Sequence, residues 1–245
     1  MVKKIIKRPI IRVLTLGLLG IFLWLLCKII YNWWYSKEIY EAMATSYEGR
    51  GYSDITAPYT PPKLHHNFIT DKEREYILNQ AKNNFEDSVT VGGKDQNIRK
   101  SKTAWLSRDD PVIKPIIERV CNLTGVPHKN AEKLQVVRYE PDGYYKEHHD
   151  AACDPGKESY EFEQNGGQRK VTMLLYLSDG FEGGTTWFPK LNLEMKPDKN
   201  GGILFYPLQS DGNKCHPNAL HAGRPVTKGE KYIANVWLRE NAYVV

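Results

Sequence analysis

The sequence predicts a mainly β domain, a sandwich or jelly roll with flanking helices, preceded by one transmembrane helix. Three observations lead to this prediction. A basic N-terminus precedes a long apolar segment, two helical patterns follow, and from Leu134 onward short apolar runs alternate with turn residues. Several short strands at this spacing are typical of sandwiches and jelly rolls.

Charge is distributed unevenly along the 245 residues. Residues 1–36 contain six basic side chains and no acidic one, whereas the remainder contains 28 basic and 29 acidic side chains. The body of the protein is therefore close to neutral. The net charge of +5 does not indicate a nucleic-acid partner.

Residues 1–35 combine this basic head with an apolar segment that predicts a membrane anchor. Val13–Cys27 is free of charge, and the aromatic residues between Tyr31 and Tyr35 are typical of a membrane interface. Bulky residues after Cys27 disfavour cleavage, so we favour an uncleaved signal anchor over a signal peptide, with a buried soluble helix as the remaining alternative. Basic residues on the cytosolic side predict a single-pass type II protein of the endoplasmic reticulum or Golgi membrane, with a lumenal globular domain.

A polar, proline-containing segment at residues 36–61 predicts an extended stalk, and residues 62–245 form the predicted globular domain. Thr70 and Glu73 have the spacing of a capping box at a helix start. A second helix is predicted over residues 111–123, where apolar residues recur at helical spacing.

Between the helices, residues 88–104 carry Gly92 and Gly93 among polar residues and predict a mobile loop. From Leu134, seven strand-like runs follow: LQVVRYE, YYKEHHDA, KVTMLLYL, GTTWFP, GILFYPL, ALHAGRPV and KYIANVWLRE. Their β-branched or alternating texture and the turn residues between them predict the β core.

The cysteines indicate neither a zinc knuckle nor a redox pair, because the chain has no CxxC motif. Outside the anchor, the odd count permits one disulfide, for which Cys153 with Cys215 is favoured, and leaves Cys121 as a free thiol. Asn122 begins an Asn-Leu-Thr glycosylation sequon near the end of the second predicted helix.

His148 and Asp150 are the first candidates for a metal site. On a strand, residues two apart point to the same face, so both side chains can reach one ion, whereas His149 points to the other face. A lone HxD pattern is weak support, and a third ligand is needed. His221 begins a strand near the end of the sheet, and two histidines with one carboxylate suit non-haem Fe(II) with three open positions.

Lys231 follows His221 by ten residues, at the start of the final strand. The ordinary expectation for a lysine is exposure to solvent, but its apolar neighbours indicate a largely buried strand. Its ammonium group could pair with the distal carboxylate of a 2-oxo acid bound to iron.

These residues belong to a longer pattern. The chain has Tyr139-Glu-Pro, Tyr145 with His148 and Asp150, the strand RKVTMLLYL, Gly-Gly-Thr-Thr, His-Ala-Gly-Arg-Pro-Val, then Lys231. In this, residues from about 62 to 240 resemble the catalytic domains of collagen-type, plant and algal prolyl 4-hydroxylases, members of the 2-oxoglutarate/Fe(II)-dependent dioxygenase family. IRKSKTAWL, at residues 98–106, resembles the loop that precedes the sheet in that family.

The resemblance implies a double-stranded β-helix (jelly roll) core and a set of site residues. Iron would be held by His148, Asp150 and His221. Lys231 would anchor the C5 carboxylate of 2-oxoglutarate, helped by the hydroxyl groups of Tyr139 and Thr186.

The resemblance also implies contacts with a substrate peptide, made by Tyr145, Arg169 and Trp237. Aromatic faces and an arginine donor suit proline residues in a polyproline II conformation. Core packing is the alternative for Tyr145 and Trp237.

The reaction implied is hydroxylation of peptidyl proline at C4, with O₂ and 2-oxoglutarate consumed, succinate and CO₂ formed, and ascorbate as a further cofactor. The partner would be a proline-rich peptide or protein. Two alternatives stay open: a hydroxylase of the same fold acting on another side chain or a nucleobase, and a catalytically inactive, membrane-anchored binding module. Arg224 stands where some relatives carry a cysteine, so a disulfide pattern is not inherited from them.

Overall fold

The computed structural model describes residues 7–90 and 95–244, with the side chains of the first helix described from residue 18. These residues form four α-helices and fourteen strands in the following order: α1 Lys7–Thr45, β1 Lys63–His65, α2 Asp71–Ala81, β2 Glu86–Asp87, β3 Arg99–Lys100, β4 Lys102–Leu106, α3 Ile113–Thr124, β5 Leu134–Tyr139, β6 Tyr144–His148, α4 Lys157–Gln164, β7 Arg169–Tyr176, β8 Glu182–Gly183, β9 Thr186–Phe188, β10 Leu193–Met195, β11 Gly202–Phe205, β12 His221–Gly223, β13 Val226–Lys228 and β14 Lys231–Arg239.

The chain divides into two compact units, Met1–Ser46 and Tyr47–Val245. Helix α1 belongs to the first unit and continues to Thr45, beyond the predicted boundary at residue 35. Leu18–Thr45 is long and apolar enough to cross a membrane by length and composition, with a mean hydropathy of 1.4. Lys3 and Lys4 of the predicted basic head lie outside the described residues.

Residues 47–61 differ from the extended stalk that their composition predicts, because they belong to the second unit and pack against the rest of it. Arg50 forms ion pairs with Glu163 and Glu240. The backbone N–H of Ser53 donates to the carbonyl of Cys215 at 2.9 Å. Proline favours an extended backbone, but it does not determine whether that backbone lies against a surface.

The two predicted helices are confirmed. The hydroxyl group of Thr70 accepts from the N–H of Glu73 at 3.2 Å, and the Glu73 carboxylate accepts from the N–H of Thr70 at 2.8 Å. This capping box begins α2. Helix α3 ends at Gly125, whose φ of 72° closes the last turn.

Two antiparallel sheets form the centre of the second unit, which is mixed α/β because α2, α3 and α4 accompany the strands. Within the described residues, the larger sheet has the order β1-β11-β7-β14-β5-β4-β2 and the smaller has β10-β9-β12-β6-β3. Each of the seven runs predicted as strands contains one. One apolar cluster combines the larger sheet with α2 and α3, and a second combines residues of both sheets, including Val137, Phe188 and Ile233.

The prediction of a loop at residues 88–104 is wrong for its second half, which contains β3 and most of β4. Strand β4 pairs with the buried strand β5. Its polar residue Thr103 is buried, with its hydroxyl group 2.7 Å from that of Ser88. Polar side chains that satisfy each other inside a fold resemble loop residues in the sequence. Gly92 and Gly93 lie outside the described residues.

The favoured disulfide is confirmed. Cys153 and Cys215 are bonded, 62 residues apart in the chain, and Cys121 is a buried free thiol. Burial raises the pKa of Cys121 to about 11, so this thiol stays protonated and unreactive at neutral pH.

Candidate active site

Strands β6 and β12 bring the three predicted metal ligands together. His148 ends β6 and pairs directly with His221, which begins β12. Asp150 follows β6 by two residues, and its Oδ1 lies 3.9 Å from His148 Nε2 and 4.0 Å from His221 Nε2. The ligand atoms of all three residues lie within 4.8 Å of one another.

Both histidines are held in the tautomer that a metal requires. The Nδ1 of His148 lies 2.7 Å from the carbonyl of Lys146, and the Nδ1 of His221 lies 3.0 Å from the carbonyl of Ala219. A carbonyl only accepts, so each Nδ1 carries the proton and each Nε2 keeps its lone pair for an ion.

Asp150 is oriented in the same way. Its Oδ2 accepts from the hydroxyl group of Thr172 at 2.7 Å and from Trp237 Nε1 at 3.0 Å. These donors leave Oδ1 free to face the two imidazole rings. Burial alone would raise the pKa of this carboxyl group, but the nearby charges of His221 and Arg169 hold it below its ordinary value.

Aromatic rings enclose the histidines. The ring of Tyr145 stacks on His148 at a centroid distance of 3.5 Å, and Phe205 lies 4.7 Å from His221. Burial, with the neighbouring His221, lowers the pKa of His148 well below its ordinary value. A neutral imidazole at His148 beside an ionised carboxylate at Asp150 suits the binding of a divalent cation.

Lys231 lies deeper between the sheets. It is only 2% exposed, and its Nζ lies over the rings of Tyr176 at 4.8 Å and Tyr139 at 5.4 Å. The hydroxyl group of Tyr176 lies 2.8 Å from that of buried Thr186. Lys231, Tyr139 and Thr186, predicted together as cosubstrate residues, therefore line one cavity with the three ligand residues.

The charge of Lys231 has no partner among the described carboxylates. Burial, and next the charge of Lys196, lowers the pKa of Lys231 from 10.5 to about 7. A buried ammonium group without a counter-charge is costly, and a bound carboxylate would relieve that cost. The pocket therefore suits an anionic ligand that reaches from the metal ligands to Lys231.

The predicted peptide residues Arg169 and Trp237 contact each other as well as the site. The guanidinium group of Arg169 lies 3.4 Å from the ring centroid of Trp237 and is paired with buried Glu132. The indole N–H of Trp237 is directed at Asp150. Tyr145, Arg169 and Trp237 all line the cavity that contains the metal ligands.

Several residues of the site were missed by sequence reasoning, among them the following four. Thr172 orients Asp150, Glu132 pairs with Arg169, Tyr176 lies against Lys231, and Trp105 lines the cavity with nearly half of its surface exposed. Thr172 and Tyr176 lie inside the strand pattern RKVTMLLYL, so they could have been selected as residues of a site strand. Trp105 lies inside IRKSKTAWL and could have been selected in the same way, whereas Glu132 has no signal of this kind in the sequence.

The donor set can be tested against the metals that proteins use. Two imidazole nitrogens and one carboxylate oxygen, with no fourth His, Cys, Asp or Glu ligand atom joining them among the described residues, leave coordination positions open. Structural zinc sites have four protein ligands. An open facial triad suits non-haem Fe(II) that binds a cosubstrate and oxygen.

Comparison with known proteins agrees with this chemistry. The 2OG-Fe(II) oxygenase superfamily matches residues 134–239. A protein of Acanthamoeba polyphaga mimivirus, whose name assigns it to the prolyl 4-hydroxylases, is 47% identical over 192 residues, which are 78% of this chain and 79% of that protein. Prolyl 4-hydroxylase 1 of Arabidopsis thaliana is 34% identical over 198 residues, covering 72% and 68%.

Solved structures show the same architecture. The viral collagen prolyl hydroxylase of Paramecium bursaria Chlorella virus-1, in its 2OG complex, has a TM-score of 0.56 at 28% identity, over 73% of this chain and 95% of that one. A prolyl hydroxylase of Trichoplax adhaerens has a TM-score of 0.55 at 21% identity, over 73% and 83%, and supports the fold alone.

The two antiparallel sheets and the triad between them define an enzyme of the 2OG-Fe(II) oxygenase superfamily, a dioxygenase that uses Fe(II) and 2-oxoglutarate. Within that superfamily, the identities with the mimivirus and plant proteins are decisive. The chain belongs to the prolyl 4-hydroxylase family.

Proposed function

We propose that this protein hydroxylates peptidyl proline at C4, consuming O₂ and 2-oxoglutarate and releasing succinate and CO₂. The observation that carries the proposal is the convergence of His148, Asp150 and His221 next to the buried, unpaired Lys231. Relatives named prolyl 4-hydroxylases support proline as the target, and a solved relative named a collagen prolyl hydroxylase supports a proline-rich substrate.

The three triad residues would hold Fe(II) through the two Nε2 atoms and Asp150 Oδ1. When bound, Fe(II) and 2-oxoglutarate would activate O₂, which supplies the oxygen atom that hydroxylates a C–H bond. Lys231 would pair with the C5 carboxylate of 2-oxoglutarate, and the hydroxyl groups of Tyr139 and Thr186 would donate to it. These three residues are at most 4% exposed, so the cosubstrate would be shielded from water.

Tyr145 and Trp237 would present aromatic faces to the substrate, with Arg169 as a donor beside them. Glu132 and the Trp237 ring hold the Arg169 guanidinium group on two sides. A side chain fixed in this way loses little entropy when it binds a peptide. A polyproline II segment has free backbone carbonyls, which suit such a donor.

Ascorbate is proposed as a further cofactor because it is typical of this family. Two alternatives to the proposed reaction have less support. A nucleobase substrate is disfavoured by the near-neutral charge of residues 37–245. An inactive binding module would not need two imidazole tautomers and a carboxylate oriented for a metal.

The first unit is proposed to be a signal anchor, with residues 47–245 as a lumenal catalytic unit of the endoplasmic reticulum or Golgi. Helix α1 supports this by length and composition, and the Cys153–Cys215 disulfide supports an oxidising compartment. Asn122 is exposed in the last turn of α3 and is available to a lumenal glycosyltransferase. Expression in eukaryotic cells should give a glycoprotein whose apparent mass falls on treatment with a glycosidase. Asn122→Gln should remove this mass change. A chain that stays in the cytosol would show no mass change in either form.

The reaction itself is tested with the full-length chain in detergent, Fe(II), 2-oxoglutarate, ascorbate and a panel of proline-rich peptides. Mass spectrometry should find one added oxygen atom per modified proline, and amino-acid analysis should identify 4-hydroxyproline. Succinate should form in equal amount. Oxygen added to lysine instead, or succinate without any peptide product, would contradict the proposed substrate.

A further inference from the structure

The loop of residues 149–154, which carries Asp150, is bonded from outside by residues 49–53, here called the clasp. The N–H of Gly51 donates to the carbonyl of Cys153 at 2.9 Å. The N–H of Ser53 donates to the carbonyl of Cys215, and the N–H of Cys215 donates back to Gly51 at 3.2 Å. The clasp therefore binds the backbone at both ends of the disulfide.

That disulfide flanks two of the three metal ligands. Cys153 follows Asp150 by three residues, and Cys215 precedes His221 by six. Both cysteines are fully buried, in a small apolar cluster with Ala151. A displacement of this cluster would move the backbone on both sides of the triad, because only a few residues separate the cysteines from the ligands.

Side chains add to the backbone bonds. The ring of Tyr52 lies 5.1 Å from that of His149, the residue between the first two ligands. The hydroxyl group of Tyr52 donates to the Asp154 carboxylate at 3.1 Å. The clasp therefore contacts the loop at residues 149, 153 and 154.

Arg50 reaches the same loop by a second route. Its guanidinium group pairs with Glu163 and Glu240. Glu163 accepts from the side-chain amide of Gln168 at 2.6 Å, and the amide oxygen of Gln168 accepts from the N–H of Ala152 at 2.9 Å. Ala152, two positions after Asp150, is thus linked to Arg50 of the clasp through the Gln168 amide and the Glu163 carboxylate.

We propose that the clasp is a positioning element of the metal site, which sets the affinity for the metal by holding the loop of residues 149–154. This inference rests on the proposed metal role of the triad. It predicts that the loop, and with it Asp150, shifts when the clasp is displaced, although no clasp residue is a ligand. Groups that orient the ligands of a metal site commonly change its affinity 10- to 100-fold when they are lost.

Two glycines of the clasp provide a matched pair of variants. Gly49 and Gly51 have φ values of 69° and 67°, so an alanine is strained equally at both. A Cβ atom at Gly49 would lie 2.5 Å from the carbonyl oxygen of Cys153 and 2.6 Å from that of Asp154, whereas a Cβ atom at Gly51 would meet nothing within 4 Å. Gly49→Ala therefore displaces the clasp from the loop, and Gly51→Ala controls for the backbone strain.

The experiment titrates Co(II) into the metal-free, full-length chain in detergent, followed by visible absorption, with thermal unfolding of the same metal-free samples. We expect about tenfold weaker Co(II) binding for Gly49→Ala and affinity close to wild type for Gly51→Ala. Equal Co(II) affinity of Gly49→Ala and wild type, or an equal loss in both variants, would overturn the proposal.

Should Gly49→Ala fail to fold, Tyr52→Ala is the second variant, with Tyr52→Phe keeping the ring against His149. The proposal requires Tyr52→Ala to weaken Co(II) binding more than Tyr52→Phe does, and equal affinities would count against it. A wild-type chain that binds no Co(II) would overturn both the proposed metal role of the triad and the proposed positioning role of the clasp. If the wild-type chain binds Co(II) and the variants bind it with the same affinity, only the proposed role of the clasp is overturned.

Discussion

Lys231 should make the binding of 2-oxoglutarate depend on pH in a range where most lysines do not titrate. Its pKa of about 7 in the free protein means that about half of the molecules carry the charge at pH 7 and about one tenth at pH 8. The C5 carboxylate requires the charged form. The affinity should therefore fall about fivefold from pH 7 to pH 8, and binding at pH 8 should take up about 0.9 proton per molecule.

The same shift has a defined effect on stability. The folded-state pKa lies below the ordinary value of 10.5, so the unfolded chain holds the proton more tightly between these two values. Without cosubstrate, the contribution of Lys231 should therefore destabilise the fold progressively as the pH falls from about 10.5 to about 7. Bound 2-oxoglutarate should reduce this loss, because its carboxylate stabilises the ammonium group.

Anaerobic titration calorimetry of the Fe(II)-loaded protein measures both quantities, when repeated in two buffers with different ionisation enthalpies. Lys231→Arg is the control, because the guanidinium group stays charged at both pH values. Its affinity should be lower but independent of pH, without proton uptake. A wild-type protein whose affinity is equal at pH 7 and pH 8, with no proton taken up, would refute the reasoning.

Three further results are expected. Asp150→Ala should abolish Co(II) binding and succinate formation, and substantial residual turnover would remove the triad assignment. Trp237→Phe keeps an aromatic ring but loses the N–H donor to Asp150, so Co(II) affinity should fall about tenfold. A change in peptide KM alone would show instead that Trp237 only contacts substrate. Thr70→Ala should cost about 1 kcal/mol in urea unfolding by removing the cap of α2 without affecting Co(II) affinity, and an unchanged midpoint would contradict the capping role.

The parts of the fold that the sequence predicts are those with a strong local pattern. Helix α3 has apolar residues at helical spacing and a glycine after its last turn, and α2 begins with a capping box. The strands of the sheet centre, such as β7 and β14, are long apolar runs because both of their faces are covered.

The parts that escaped prediction depend on distant partners. Strand β4 becomes a strand because β5 offers it an edge, and α4 has only Ser159 as a fully buried residue, so it has little apolar pattern. Residues 47–61 pack against the rest of the second unit through Arg50 and backbone groups, whose partners lie more than a hundred residues away. Local sequence patterns do not indicate contacts between residues so far apart in the chain.

For the site, the spacing of His148 and Asp150 and the strand position of His221 predicted the metal site, and the apolar neighbours of Lys231 predicted its burial. The resemblance to a family supplied the roles of Tyr139 and Thr186. The structure adds the physical reasons for these predictions. The histidines suit a metal because each carries its proton on Nδ1 and leaves Nε2 free. Lys231 suits an anion because its buried ammonium group is unpaired. The structure also shows that Trp237 is directed at Asp150, which depends on the pairing of β14 with β7. The register with which two such strands pair cannot be predicted from the sequence.

The metal position itself gives the most direct test. Anomalous diffraction at the iron edge, from crystals grown with Fe(II), should show one iron atom bonded to Nε2 of residues 148 and 221 and to Oδ1 of residue 150. Its other positions should be filled by solvent or 2-oxoglutarate. Iron bound elsewhere, or held by four protein side chains, would contradict the assignment of this chain as an oxygen-activating enzyme.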